Sequence, residues 1–106
     1  VTDAVHGAGG KIALQILHTG RYADATTEEA RAAEFVRLTE GVGLARRAGL
    51  RVNLGHGLDY VNILPFAKVT GVSEYSIGHS IVSHAVLAGM TEAVRRMADI
   101  VARFPD

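Results

Sequence analysis

Arg51-Val52-Asn53-Leu54-Gly55-His56-Gly57-Leu58 reads as a short strand that stops at a histidine held between two glycines. The pattern returns downstream as Tyr75-Ser76-Ile77-Gly78-His79-Ser80 and, in weaker form, upstream as Leu14-Gln15-Ile16-Leu17-His18-Thr19-Gly20. Three strand-like runs thus each end at a histidine followed by a small residue. Parallel strands carry their sites beyond their carboxyl ends. If the three runs are parallel neighbours, His18, His56 and His79 sit on one rim and make a site.

The segments between these runs support that arrangement. Val1–Ala8 has the character of a helix tail stopped by Gly9-Gly10. Lys11–Leu17 is mostly apolar, as a strand buried on both faces must be. Thr26 and Glu29 have capping-box spacing ahead of a helix from about Thr27 to Ala48. Phe35, Leu38, Val42 and Ala45 mark its buried face, and Gly49 its stop. Asp59–Val69 fits a short helix with a late start or a kink at Pro65. Glu74–Ile77 is the third strand and Ser80–Ala88 a short apolar helix. Gly89 is a break, and Thr91 caps a last helix with Val94, Met97, Ala98 and Val101 as its apolar stripe. Alternation of helix and strand predicts an α/β chain with parallel strands. Three strands cannot close an eight-stranded barrel of about 250 residues. The open edges of such a partial sheet call for further chain or for other copies, so a homo-oligomer is expected.

Composition narrows the function. The chain has 106 residues, enough for a single domain, and 48% of them are hydrophobic against 21% charged. Lysine plus arginine equals aspartate plus glutamate at 11 each, so no basic field attracts nucleic acid or an anionic membrane surface. A bound phosphate must be captured locally. The absence of cysteine excludes disulfides, a thiolate nucleophile and cysteine zinc sites, and is compatible with the cytoplasm. No apolar run approaches the ~20 residues of a membrane-spanning helix. The start Val1-Thr2-Asp3 is neither an initiator methionine nor a signal peptide, as expected of a piece of a longer chain.

Two of the turns have chemistry of their own. Gly78-His79-Ser80 lies where a strand enters a helix, whose free N–H groups and positive dipole end suit a phosphate. Gly78 allows close approach to an oxyanion and Ser80 offers a hydroxyl. The plainer reading is a glycine for chain direction and a serine cap. In Gly55-His56-Gly57 the imidazole is free of bulky neighbours and suited to proton transfer at neutral pH, or else simply bonded to a loop carbonyl. Three imidazoles can also hold zinc, but no HxH or HExxH spacing supports a metal. Arg21 and Tyr22 can reach an anionic ligand from the first turn or belong to a solvated loop, while His6 and His84 read as structural helix residues.

From His18-Thr19-Gly20-Arg21-Tyr22-Ala23-Asp24-Ala25 to about Phe104, the chain resembles the C-terminal part of pyridoxine 5'-phosphate synthase. The resemblance rests on Val52-Asn53-x-Gly55-His56-Gly57-Leu58, Tyr60-x-Asn62, Ile77-Gly78-His79-Ser80-Ile81-Val82 and Ala85-Val86-x-x-Gly89, all in the family's order. It implies a (β/α)8 TIM barrel, of which this chain is a partial fragment forming one domain over residues 1–106. It also implies condensation of 1-deoxyxylulose 5-phosphate with 3-amino-2-oxopropyl phosphate to pyridoxine 5'-phosphate, phosphate and water. By resemblance, His56 is the proton donor late in ring formation, and Gly57, Gly78 and His79 hold the phosphorylated amino ketone. No cofactor is implied. The family's other acid/base residues, a histidine and a glutamate on earlier strands, have no counterpart here, and Ile16 stands where a glutamate is usual.

Residues 1–23 resemble a second family. Val1-Thr2-Asp3-Ala4-Val5-His6 and the run from Gly9 to Ala23 look like 2,4-dienoyl-CoA reductase, a flavin barrel in which Gln15 would touch the flavin. The two resemblances overlap at His18–Ala23, which raises the expectation of a chimera with a structural role and no catalysis. The leading expectation is a synthase segment that keeps the phosphate and proton-donor turns and is not fully active alone.

Overall fold

The computed structural model describes residues 2–13 and 26–105. His18, Gln15, Ile16, Arg21, Tyr22 and most of the expected strand at 11–17 lie outside these residues, and Lys11–Ala13 carry no regular structure. Among the described residues the sheet has two strands.

Local chemistry sets most of the helix ends. α1 (Thr2–Gly7) closes through Gly9 at φ 74°, with the Gly10 N–H donating to the Val5 carbonyl at 2.8 Å. α2 (Glu28–Arg47) is capped by Thr27, whose Oγ1 accepts from the Ala30 N–H at 3.1 Å. The expected Thr26/Glu29 capping box is therefore displaced by one residue. With Thr27 as the cap, the third helical position is Ala30, which has no carboxylate to return the bond. At the other end Gly49 adopts φ 78°, and the N–H groups of Leu50 and Gly49 donate to the carbonyls of Ala45 and Arg46, each at 3.0 Å. This is a Schellman closure, and it requires the left-handed glycine.

β1 (Asn53–Leu54) and β2 (Glu74–Tyr75) pair in parallel, with Asn53 opposite Glu74 and Leu54 opposite Tyr75. Bonds from the Ser73 N–H to the Val52 carbonyl and from the Ser76 N–H to the Leu54 carbonyl, both 2.8 Å, continue the pairing. Between the strands, the expected helix at 59–69 is a turn followed by a 3-10 segment, Leu64–Lys68. Pro65 lies in the first turn of that segment, where its missing N–H costs nothing. α3 (His79–Ala88) and α4 (Met90–Val101) meet at Gly89, φ 85°. Thr91 is thus inside α4 and is not its cap, because the glycine joins the two helices without an intervening cap residue.

The core lies between α2, the 58–72 connection and α4. It contains Val42, Leu58, Ile63, Phe66, Val69, Val72, Ala93 and Met97. Ile63 and Phe66 are the best buried of the large side chains, at 0% and 1% exposure. Phe35 packs edge-on to Phe66 at 5.2 Å, and Leu38 lies against the same cluster, so the expected face of α2 is the one that packs. In α4 the inward residues are Ala93 and Met97, continued by Ile100, Val101 and Phe104. Val94 and Ala98, placed in the stripe from sequence, are exposed. Arg95 pairs with Glu92 at 2.8 Å and with Asp99, which marks the solvent side of that helix.

Among the described residues, no helix is long and apolar enough to cross a membrane.

Candidate functional site at two glycine-histidine turns

The parallel pairing brings the ends of β1 and β2 together, and with them Gly55-His56-Gly57-Leu58 and Gly78-His79-Ser80. Gly55 is what allows the approach. A Cβ added there would fall on the Ser76 carbonyl oxygen, so any larger residue would force the strand ends apart. Gly57 adopts φ 82°, a left-handed conformation that side chains disfavour. The Leu58 N–H then donates back to the Gly55 carbonyl at 3.0 Å, and the buried Leu58 side chain joins the core. His56 is left exposed at the tip of the turn.

The residues after the turn brace it. Asp59 Oδ1 accepts from the N–H groups of Val61 and Asn62, each at 2.8 Å. Asn62 answers with its Oδ1, which accepts from the Asp59 N–H at 2.7 Å, while its Nδ2 donates to the Gly57 carbonyl at 2.9 Å. Asn62 thus fixes the Gly57–Leu58 peptide, one residue beyond His56. Tyr60 ties the loop to α4 through a 2.7 Å bond from its hydroxyl to the Ala93 carbonyl. Its ring lies 4.9 Å from that of His84 and 5.2 Å from the Arg96 guanidinium carbon. His84, read as structural from sequence, touches this loop through Tyr60. His6 lies exposed on α1.

Sequence reasoning missed the Asp59–Asn62 clamp, although an aspartate three residues ahead of an asparagine after a glycine turn is an Asx-turn signal. It also missed the role of Ser80. The Ser80 hydroxyl donates across to the Leu58 carbonyl at 2.9 Å. No side chain caps α3. Neither sequence reading of Ser80, as helix cap or as free phosphate donor, matches this bond.

The start of α3 is open. His79 and Gly78 are exposed, and a Cβ at Gly78 would meet nothing within 4 Å. With no side-chain cap, the first backbone N–H groups of α3 and the positive end of its dipole fall at the exposed Gly78 and His79, next to the turn that Ser80 bonds, an arrangement that suits an anion. The two grooves that flank α2 are lined by Thr39, Glu40, Gly43, Leu44 and Arg47 and by residues around Arg31, Phe35 and Pro65. Neither includes His56 or His79. Among the described residues, no three histidine, aspartate or glutamate side chains converge as a metal site.

A family model described as "Pyridoxal phosphate biosynthesis protein PdxJ" matches residues 5–103. The chain is 52% identical over 90 residues to pyridoxine 5'-phosphate synthase of Maridesulfovibrio salexigens, covering 85% of this chain and 37% of that protein. It is 60% identical over 90 residues to the synthase of Solidesulfovibrio magneticus, with the same coverage. To that of Trichlorobacter lovleyi it is 47% identical over 94 residues, 89% of this chain and 39% of the relative. The chain thus spans well under half the length of the curated relatives it matches. The family match takes in residues 5–23, most of the segment likened above to dienoyl-CoA reductase, so no joint between two families is needed to account for it. From residue 5 to residue 103, the chain belongs to the PdxJ family of pyridoxal phosphate biosynthesis proteins.

Proposed function

We propose that this chain carries the proton-donor and phosphate-holding turns of a pyridoxine 5'-phosphate synthase, which condenses 1-deoxyxylulose 5-phosphate with 3-amino-2-oxopropyl phosphate. The observation that supports this reading best is the pairing of the two glycine-histidine turns at one end of the parallel strands, bonded to each other through Ser80. In this reading the backbone at Gly57, Gly78 and His79 receives the phosphate of the amino ketone. Fixed N–H groups at a helix start suit a dianion and need no reorganisation as it binds. His56, exposed at the tip of its turn, gives a proton to a departing oxygen as the ring closes.

Ring formation from two such substrates also needs groups that abstract protons and orient the pentulose phosphate. The histidine and glutamate that do this in the family have no counterpart in this chain, so its own contribution is binding and late proton donation. Zero net charge and the lack of cysteine fit a cytoplasmic setting. Self-association belongs to the same proposal, because α3 exposes Val82, Val86 and Leu87.

Calorimetric titration with 3-amino-2-oxopropyl phosphate tests the assignment. Gly78→Val is the informative variant, since the first added carbon has open space and no protein atom to strike. Wild type is expected to bind and Gly78→Val to lose measurable binding while melting as wild type does. Unchanged affinity in the variant would overturn the assignment.

A further inference from the structure

We infer that Ser80 is a positioning residue that straps the His56 turn to the start of α3, making one unit of the two halves of the site. The inference deepens the reading of these turns as a phosphate and proton-donor site, and rests on it for its consequence in binding.

The bond spans 22 residues of sequence and joins the first turn of α3 to the last residue of the Gly55–Leu58 turn. Its proton is committed to the Leu58 carbonyl at 2.9 Å. A hydroxyl has one proton to give, so while this bond holds Ser80 cannot also donate to a phosphate oxygen. Leu58 is otherwise held by its N–H to Gly55 and by burial of its side chain. With the Asn62 bond to the Gly57 carbonyl, the peptides on the far side of His56 are fixed at two successive carbonyls. Asn62 secures the turn within its own loop. Of these two bonds, only that of Ser80 ties it to the helix that begins at His79. Removing the Ser80 hydroxyl leaves the loop intact but frees it to shift against α3. A ligand that spans both turns then has to restore the alignment itself, and affinity falls.

The test uses the whole chain, nuclear magnetic resonance of its backbone and inorganic phosphate as the probe. In Ser80→Ala, the Leu58 carbonyl carbon and the Gly57 and Leu58 amides are expected to move without ligand, and the phosphate Kd to rise about tenfold. Ser80→Thr, which keeps the hydroxyl, is expected to restore both. A residue with only a bulk structural role would lower the melting temperature without this local signature. Should alanine unfold the chain, Ser80→Cys keeps the shape with a far weaker donor and gives the same readings. Gly57 and Leu58 resonances that stay at their wild-type positions, or a phosphate Kd within twofold of wild type, would overturn the inference. If wild type binds no phosphate while Ser80→Ala still displaces Gly57 and Leu58, the strap stands and the assignment of the turns as a phosphate site falls.

Discussion

The loop that follows His56 and the helix that follows His79 are built on opposite terms. From Gly55 to Asn62 the chain is held by side-chain bonds from Asp59, Asn62, Tyr60 and Ser80 and is seated on the buried Leu58 and Ile63. α3, apolar along most of its length, has no buried residue, with Val86 80% and Leu87 89% exposed. The loop gains its shape from local hydrogen bonds and one small core. The helix offers an apolar face that other chain would have to cover. The two turns can therefore hold their geometry while the apolar face of α3 stays exposed.

Substitutions can break or sharpen this contrast. The largest effect is expected for Phe66→Ala, which empties the centre of the core beneath the loop and should cost about 3–5 kcal/mol in urea unfolding. Little stability would remain. Gly55→Ala comes next, at about 1–3 kcal/mol, because the new methyl group must displace the Ser76 carbonyl. It should also separate the two turns and weaken phosphate binding. If Gly55→Ala leaves both stability and binding unchanged, the strand ends do not meet as described.

Tyr75 gives a smaller and pH-dependent effect. Its hydroxyl is buried without a hydrogen-bond partner among the described residues, and burial pushes the phenol up from its ordinary value of 10. The unfolded chain therefore ionises first as pH rises. The contribution of this group to stability is full below about pH 10 and is lost as pH climbs from there through the raised folded value. Tyr75→Phe should remove that part of the alkaline loss. At neutral pH it should leave stability unchanged or up to about 1 kcal/mol higher, since no bond is sacrificed. Thermal melts between pH 7 and 11 would show both effects. The smallest change is expected for Leu87→Ser, within about 0.5 kcal/mol for a side chain this exposed. A loss of several kcal/mol there would mean that α3 is covered in solution by another copy.

Much of the site was legible in sequence because glycine and histidine at strand ends carry a strong positional signal. Gly55-His56-Gly57 and Gly78-His79 were placed at the ends of parallel strands, and the structure has them there. The buried face of α2 was legible from Phe35, Leu38 and Val42, whose 3-4 spacing coincides with the side that packs on Phe66. Elsewhere, apolar character alone misled. Val94 and Ala98 lie beside the true stripe of α4, and nothing in their chemistry says which neighbour faces inward. Capping was misjudged at Thr26 because the neighbouring Thr27 can serve equally well, and at Thr91 because Gly89 joins the two helices without a cap residue. Ser80 was missed for another reason. Its partner is a backbone carbonyl 22 residues away, which no local pattern records. His18 and most of the first expected strand, from residue 14 on, lie outside the described residues.

The most direct measurement is a phosphate titration of the isotope-labelled chain that follows the Gly57 and His79 amides together. If the two turns form one anion site, both resonances should move along the same saturating curve and give a single Kd. Movement at His79 without Gly57, or drift at both without saturation, would contradict a shared site and leave two unrelated glycine turns at the end of a small sheet.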